Sequence, residues 1–267
     1  MRRSGILGAM TAILPTEFKS KKLVVFDLDG TLTISKSPLD EEMAELLKKL
    51  LVLKKVAVIS GGFLPQHQKQ IIPFMGEDEA VLSQLFLFPA SSTVFVRYED
   101  GEWKKVYENI MSEKEKAKIM NAFNMVFEEL SYQKPEKLYG VDIEDRGTQV
   151  SFSPLGQQAP VELKVKWNAE HNDFRKQMRD RLTELLPEFE VRVGGLTTID
   201  ITPKGIDKAY GIRKIEEHLN IPISDMVFIG DEMGEGGNDG AVKVTGIDTI
   251  EVEDQEETKK IIRELIK

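Results

Sequence analysis

The chain has 267 residues, enough for two domains, with 36 Lys and Arg against 45 Asp and Glu and a net charge of −9. This balance argues against a nucleic-acid partner, because neutralising phosphates requires a basic face. The absence of Cys excludes disulfides, thiolate metal sites and a Cys nucleophile, and it fits a cytoplasmic location. No segment approaches a membrane span of about 20 apolar residues, so we expect no membrane partner either.

Residues 1–20 are predicted to form an extension that precedes the folded part of the chain. The apolar stretch at residues 5–14 is similar to a signal peptide, but glycines interrupt it and it lacks a small-x-small cleavage site. It also leads directly into a strand of the predicted core. We therefore favour a loosely packed extension, with Met10 as an alternative start.

Residues 21–89 alternate between strand and helix patterns. Apolar runs predict strands at 23–26, 56–59 and 85–88, and amphipathic segments predict helices at 42–51 and 66–72. Alternation of this kind indicates an α/β fold with a Rossmann-like, doubly wound core, in which helices cover both faces of a parallel sheet.

Residues 90–193 do not continue the strict alternation of strands and helices, and their pattern predicts an inserted α+β domain. Asp100-Gly101 between two short strands is a strong hairpin signal, and Ser112 with Glu115 forms a capping box at a helix start. The predicted elements are strands at 93–98, 103–107, 149–153 and 190–193 and amphipathic helices at 112–130 and 174–185.

After Gly194-Gly195 the alternating pattern returns. Strands are predicted at 198–201, 226–229 and 249–252, with a helix at 207–219 and a closing helix at the end of the chain. We therefore expect residues 21–89 and 194–267 to form the core domain and residues 90–193 to form the insert.

The most informative stretch is the apolar strand that ends in two carboxylates, Asp27 and Asp29. Because alternate strand residues share a face and Gly30 permits a sharp turn, both carboxylates are expected to border one site. Two anions held together repel, and burial raises their pKa values unless a cation lies between them. A hard cation such as Mg²⁺ is therefore implied. The alternative is that both residues merely end a strand and cap a turn.

Three further segments place polar groups after a strand or at a helix start. Ser60 and Gly61 follow the second strand, and their hydroxyl and backbone N–H groups suit a phosphoryl oxygen. Lys208 opens a helix, where a cation is unusual unless it answers a negative charge, and Asp231 follows a later apolar strand. In an open α/β sheet such positions gather at the carboxyl ends of the strands. The alternatives are an ordinary glycine turn, a surface lysine and a helix-capping Asp.

These segments, in this order, resemble the haloacid dehalogenase (HAD) superfamily of phosphotransferases, and the insert is similar to the superfamily's C2-type cap. Three phrases look like the eukaryotic-type phosphomannomutase branch. They are Ser153-Pro154-Leu155-Gly156, the run from Gly194 to Asp200, and Gly230-Asp231 with Gly236-Gly237-Asn238-Asp239.

The resemblance implies roles for the residues of the core. Asp27 would be the nucleophile that forms an aspartyl phosphate, and Asp29 would be the acid/base. The Mg²⁺ ligands would be Asp27, Asp231 and the backbone carbonyl of Asp29, with Asn238 and Asp239 orienting the groups around the metal. The groups expected to hold phosphoryl oxygens are Thr31, Ser60, Gly61 and Lys208.

The insert departs from the family in the way it would grip a second phosphate. Gln157 stands where the family has an arginine, and a neutral amide cannot form the bidentate ionic pair of Arg. Lys36 replaces another arginine near the nucleophile, and Arg146 is expected to retain part of the grip. Thr198 and Asp200 match the family's sugar-contacting hydroxyl and carboxylate. The alternatives for these residues are strand-end positions and a solvated surface charge.

Two enzymatic functions follow from the resemblance. The first, slightly favoured, is a Mg²⁺-dependent phosphatase of a small phosphorylated sugar, because losing one charged contact weakens binding by about 1.5–3 kcal/mol and lets a bisphosphate escape. The alternative is a phosphomannomutase or another phosphohexomutase that interconverts hexose 1- and 6-phosphates. A noncatalytic phosphosugar-binding or receiver-like protein is a third interpretation. A homodimer through the cap is also expected.

Overall fold

The computed structural model describes residues 15–234 and 237–267, so the expectations for residues 1–14, including Met10, and for Gly236 lie outside the described residues. The strands are β1 (Leu23–Asp27), β2 (Lys55–Ile59), β3 (Leu85–Phe88), β4 (Val94–Glu99), β5 (Glu102–Glu108), β6 (Ile143–Asp145), β7 (Val150–Phe152), β8 (Phe189–Gly194), β9 (Thr198–Pro203), β10 (Met226–Gly230) and β11 (Asp248–Glu251). The helices are α1 (Thr16–Lys19), α2 (Glu41–Leu53), α3 (Leu64–Gln70), α4 (Glu79–Leu82), α5 (Pro89–Ser92), α6 (Glu113–Glu129), α7 (Val161–Leu185), α8 (Lys208–Leu219) and α9 (Gln255–Leu265).

The larger sheet has seven strands in the order β11-β10-β1-β2-β3-β4-β5. From β11 to β3 the strands are parallel, which confirms the predicted core. β1 can be apolar at every position before Asp27 because both of its faces are covered. Val24 and Phe26 pack into one buried cluster, and Val25 packs into a second cluster on the opposite face.

The helices cover these faces with amphipathic sequences. α2 begins where the Asp40 carboxylate accepts a hydrogen bond from Met43 N at 2.8 Å, and it buries Leu47 and Leu50 against the sheet. α6 begins with the predicted capping box of Ser112 and Glu115. Among the helices described, none is both long and apolar enough to cross a membrane.

The hairpin of β4 and β5 lies in the core sheet, so its prediction as part of the insert is wrong. β4 pairs antiparallel with β3, and Leu87 is opposite Val96. The physical reason is burial, because Phe95 is 1% exposed and its ring stacks on Phe88 with centroids 4.4 Å apart. Val94 and Val96 pack into the buried cluster on one face of the core sheet and Phe95 packs into the cluster on the other face, so β4 is covered on both faces only as part of this sheet.

The smaller sheet belongs to the insert and has four antiparallel strands in the order β6-β7-β9-β8. Its apolar face packs with α6 and α7 around buried residues such as Phe123, Phe152 and Met178. β9 was expected in the core domain, and that prediction is wrong. Ile199 and Ile201 lie on the same face of β9, and both point into the hydrophobic interior of the insert. β6 was not predicted from the sequence.

The sheet pairing suggests different domain limits from those expected from the sequence. The core sheet continues to Glu108 at the end of β5, and the second sheet continues to Pro203 at the end of β9. We propose that the insert lies between β5 and α8, and that two chain crossings, near Asn109 and near Ile206, join it to the core.

Candidate active site

The carboxyl ends of three neighbouring strands bring the predicted core residues to one crevice. β1 ends at Asp27, β10 is followed by Asp231, and β2 is followed by Ser60. These strands are adjacent in the order β10-β1-β2. Because all three are parallel, their polar ends meet at the same edge of the sheet.

Three carboxylates converge at this edge. Asp27, Asp231 and Asp239 each offer an oxygen, and these oxygens all lie within 4.8 Å of one another. Asp27 is 6% exposed and Asp239 is fully buried. The sequence assigned Asp239 to the surroundings of the metal, whereas the structure places it within the acidic group itself.

Gly30 makes the close approach of the two chain segments possible. Its φ is +102°, and a Cβ atom there would lie 2.3 Å from the Asp231 Oδ2 atom. A side chain at this position would therefore be strained in its backbone and would collide with the carboxylate. The predicted sharp turn after Asp27 is present, and the absence of a side chain at Gly30 leaves room for the Asp231 carboxylate.

Lys208 is the buried cation of the group. As the first residue of α8 it reaches Asp27 Oδ1 with its Nζ at 2.6 Å and also donates to Asp239. Burial opposes its charged form, but the two carboxylates outweigh burial and raise the pKa of Lys208 above its ordinary value. Its unusual place at a helix start is thus explained by the anions that it faces.

The acidic group fits a hard divalent cation. Burial raises the pKa of Asp27 to about 8 despite the neighbouring Lys208, and burial also raises the pKa of Asp231. One lysine cannot balance three carboxylates, so the site has excess negative charge that a metal ion would neutralise. Oxygen donors of this kind are the ligands that Mg²⁺ and Ca²⁺ prefer.

Asp29 has different surroundings from the acidic group. Its Oδ1 atom accepts hydrogen bonds from Lys36 N at 2.8 Å and from Gln70 Nε2 at 3.2 Å, and its Oδ2 atom accepts one from Gln66 Nε2 at 3.0 Å. Within the described residues, its carboxylate is not part of the cluster that could hold a metal. This separation leaves Asp29 available for proton transfer, the role that the resemblance implies.

The expected phosphate-holding groups lie at the same edge. Thr31 is fully buried and donates from Oγ1 to Asp231 Oδ1 at 3.0 Å. Ser60 is 2% exposed, and its hydroxyl oxygen accepts a hydrogen bond from Gly62 N at 3.1 Å. Gly61 is exposed, with open space where a Cβ would be. The open position beside two polar groups has room for a phosphoryl oxygen, and the phosphate-holding role of these residues stays a prediction.

Asn238, which was expected to orient the groups around the metal, also lies outside the acidic group. It is exposed, and its Nδ2 atom donates to Glu232 Oε2 at 2.7 Å. Its neighbour Asp239 points inward instead and accepts a hydrogen bond from Glu232 N at 2.9 Å. Asn238 therefore braces the loop that carries Asp239.

Arg146 and Gln157 of the insert contact each other and the core. Arg146 donates from Nε to Glu144 at 2.8 Å and from Nη2 to Gln157 Oε1 at 3.2 Å. Its guanidinium carbon also lies 4.8 Å from the centroid of Phe63, which precedes α3 in the core. Gln157 donates in turn to Ser151 O at 3.1 Å. The insert is thus seated on the core at Phe63.

Thr198 and Asp200 occupy the polar face of the smaller sheet. They alternate along β9 with Ile199 and Ile201, which face the helices of the insert. Asp200 accepts a hydrogen bond from Ser151 Oγ at 2.5 Å, and Thr198 donates to Gly194 O at 2.5 Å. Both residues are partly exposed and accessible to a ligand.

Lys164 is a candidate site residue that the sequence analysis missed. It lies on α7, is 6% exposed, and donates from Nζ to Gln157 O at 3.1 Å. Burial and the adjacent Lys36 lower the pKa of Lys164 to about 8. Two cations that face each other across the core and the insert repel unless an anion lies between them. In the sequence, Lys164 looks like any other charged residue of an amphipathic helix, so no local signal identifies it.

Known proteins resemble this chain over most of its length. The family described as eukaryotic phosphomannomutase matches residues 43–267. Phosphomannomutase 1 of Mus musculus is 26% identical over 231 residues, which cover 83% of this chain and 82% of that protein. The phosphomannomutase of Encephalitozoon cuniculi is 27% identical over 225 residues, covering 82% of this chain and 83% of that protein.

Solved structures with low sequence identity share the fold. The IMP-nucleotidase of Plasmodium falciparum aligns with a TM-score of 0.70 at 16% identity, over 93% of this chain and 68% of that chain. The trehalose-6-phosphate phosphatase of Aspergillus fumigatus aligns with a TM-score of 0.56 at 17% identity, over 94% and 95%. The HAD fold expected from the motifs is confirmed. Because the family match extends from α2 through the cap to the last residue, the chain belongs to the eukaryotic phosphomannomutase family of HAD enzymes.

Proposed function

We propose that this enzyme is a Mg²⁺-dependent phosphohexomutase that interconverts hexose 1- and 6-phosphates. The observation that carries the proposal is the pairing of two sites of opposite charge. The core has a carboxylate and lysine centre around Asp27. The boundary between the core and the insert, called the cap edge below, has the facing cations Lys36 of the core and Lys164 of the insert. A mutase needs both, because its bisphosphate intermediate must present one phosphate for reaction while the other is held. Family membership favours this function over the phosphatase that the sequence analysis preferred.

In the proposed reaction, an Asp27 oxygen attacks one phosphorus of a hexose 1,6-bisphosphate, while the other phosphate is held at a distance. The bond from phosphorus to the sugar oxygen breaks, and Asp29 gives that oxygen a proton. Lys208, together with the hydroxyls of Thr31 and Ser60, would stabilise the charge on the phosphoryl oxygens. A hexose monophosphate then presents its free hydroxyl, Asp29 removes the proton, and the aspartyl phosphate transfers its phosphoryl group to that oxygen, which regenerates the bisphosphate.

The acidic residues would hold the metal beside the phosphoryl group. Asp27, Asp231 and Asp239 fit Mg²⁺ by their oxygen donors and by their uncompensated charge, with the backbone carbonyl of Asp29 as a further ligand. When bound, Mg²⁺ supplies positive charge that offsets the negative charge of the phosphoryl oxygens. Lys208 bridges two of these carboxylates, and it would keep Asp27 oriented with or without the metal.

A sugar-phosphate phosphatase is the second candidate, and Gln157 is the observation that favours it. Gln157 is neutral and already bonded to Arg146, which is itself paired with Glu144. Of the residues considered for the distal phosphate, Lys36 and Lys164 then remain, and they bind it as point charges without a bidentate fork. Weaker binding of the distal phosphate shortens the residence time of the bisphosphate. Attack of water on the aspartyl phosphate would then compete with transfer of the phosphoryl group back to the sugar.

The two functions differ in their products. The purified protein with Mg²⁺ is given mannose 1-phosphate or glucose 1-phosphate, with and without a hexose 1,6-bisphosphate primer, and the 6-phosphate and free phosphate are measured. We expect primed formation of the 6-phosphate to exceed phosphate release, with Asp27→Asn as the inactive control. Release of phosphate without isomer would establish the phosphatase, and no turnover of any ester would refute both. The cytoplasmic location and the cap-mediated homodimer stay predictions.

A further inference from the structure

α3 directs three side chains at the proposed reaction centre, and one of them has no role in the mechanism above. Gln66 and Gln70 hold the Asp29 carboxylate. Between them His67 is fully buried, and its Nε2 atom lies 3.3 Å from the Ser60 hydroxyl oxygen. A buried imidazole in contact with a phosphate-holding hydroxyl can fix where that hydroxyl points its hydrogen.

Ser60 has few ways to satisfy its hydroxyl group. Its oxygen accepts the Gly62 N–H at 3.1 Å, and its contact with Gly62 O, at 3.5 Å, is long. The hydroxyl hydrogen can therefore go to His67 Nε2 or to a ligand. To donate to a phosphoryl oxygen, Ser60 needs His67 to supply a hydrogen instead of accepting one.

His67 can supply that hydrogen as a neutral ring. Burial lowers the pKa of His67 to about 4, so the ring carries a single proton near neutral pH. Its Nδ1 atom lies 3.5 Å from Phe63 O, a distance too long to hold the proton firmly on that side. The proton is therefore free to reside on Nε2, facing Ser60.

We infer that His67 is a positioning residue that donates from Nε2 to Ser60 Oγ when a phosphoryl group binds, and thereby releases the Ser60 hydroxyl hydrogen to the phosphoryl oxygen. No proton is transferred from one of these groups to another, and His67 forms no bond to phosphorus. Each hydrogen bond polarises the next, so the phosphoryl oxygen gains a stronger donor than an isolated serine provides. The inference rests on the proposed function, because it takes Ser60 as a phosphoryl ligand.

The inference is tested with a double-mutant cycle. His67→Leu removes the donor, and we expect kcat/KM to fall about five- to tenfold, the effect of one neutral hydrogen bond. His67→Gln places an amide N–H near the position of Nε2, and it should recover most of the loss. In a Ser60→Ala background, His67→Leu should have almost no further effect. Gln68→Leu, an exposed position on the same helix, is the matched control that should leave kcat/KM unchanged.

A second readout follows the imidazole proton directly. The ¹⁵N shifts of His67 are compared in the protein with Mg²⁺ alone and with Mg²⁺ plus orthovanadate, and we expect the vanadate complex to show the proton on Nε2. An additive loss from His67→Leu and Ser60→Ala, or a proton that stays on Nδ1 in the complex, would overturn the inference while leaving phosphoryl transfer intact. A wild-type protein that turns over no phosphate ester would refute the proposed function, and the ¹⁵N measurement would still decide the role of His67.

Discussion

Lys164 offers a prediction in which stability and ligand binding change in opposite directions. Burial and the facing Lys36 disfavour its charged form, so its pKa is about 8 in the folded protein against an ordinary value of 10.5. At neutral pH the lysine is charged in both the folded and unfolded states, so the full free-energy cost of burying this charge beside Lys36 lowers the stability of the folded protein. Above pH 10.5 it is neutral in both states, and the penalty disappears. The contribution of Lys164 to the free energy of unfolding therefore rises as pH increases from about 8 to about 10.5.

The size of the penalty follows from the pKa difference. A shift from 10.5 to about 8 corresponds to about 3 kcal/mol, which we reduce to about 1–2 kcal/mol for solvent screening of the amine. Lys164→Met keeps the length of the side chain and removes the charge. At pH 7 it should stabilise the ligand-free protein by that amount and raise Tm by about 2–6 °C. The same change should weaken the hold on an anion at the cap edge.

The assay is thermal unfolding at pH 7 and pH 9.5, with and without inorganic phosphate. The wild type should gain stability relative to Lys164→Met between the two pH values, and phosphate at pH 7 should stabilise the wild type more than the variant. Lys166→Met, an exposed position on the same helix, serves as the control. A Lys164→Met protein that is less stable than the wild type at pH 7 would refute the reasoning, because the buried charge would then be a net stabilising contact.

Three other changes test the core and the cap edge. Asp27→Asn should abolish turnover with an unchanged circular dichroism spectrum, and even a tenth of the normal rate would contradict its role as nucleophile. Gly30→Ala should destabilise the fold by about 2–4 kcal/mol in denaturant titration, because its Cβ would lie 2.3 Å from Asp231 Oδ2 at a φ of +102°. Gln157→Arg should raise the ratio of isomer to released phosphate by about tenfold, since it adds one charged contact to the distal phosphate. An unchanged ratio would show that the distal phosphate does not reach residue 157.

The parts of the fold that the sequence predicted depend on neighbours a few residues away. The apolar run of β1, the Asp40 cap of α2 and the capping box of α6 are all local patterns. The assignment of β4, β5 and β9 to a sheet is different, because a short antiparallel strand can pair with the sheet of either domain. Contacts over long separations decided the outcome, such as that of Phe95 with His218 of α8, whose ring centroids lie 5.5 Å apart. Such contacts leave no periodic signal in the chain.

The same division applies to the candidate site. Asp27, Ser60 and Asp231 could be placed together because parallel strands share a carboxyl edge. Asn238 and Asp239 are adjacent residues with similar oxygen donors, and only the path of the loop turns Asp239 inward and Asn238 outward. A sequence pattern cannot distinguish two such neighbours.

His67 and Lys164 show why some residues of the candidate site can be identified only from the tertiary structure. A histidine or lysine in an amphipathic helix is ordinary, and each becomes informative only when its burial and its partner are known. Lys36 lies in the loop after the nucleophile, whereas Lys164 lies on α7 of the insert. These two lysines therefore face each other only while the insert is seated on the core, as it is through Arg146 and Phe63. If the proposed function holds, contacts between the two domains set the balance between holding and releasing a bisphosphate, while the core alone supplies the groups for transfer.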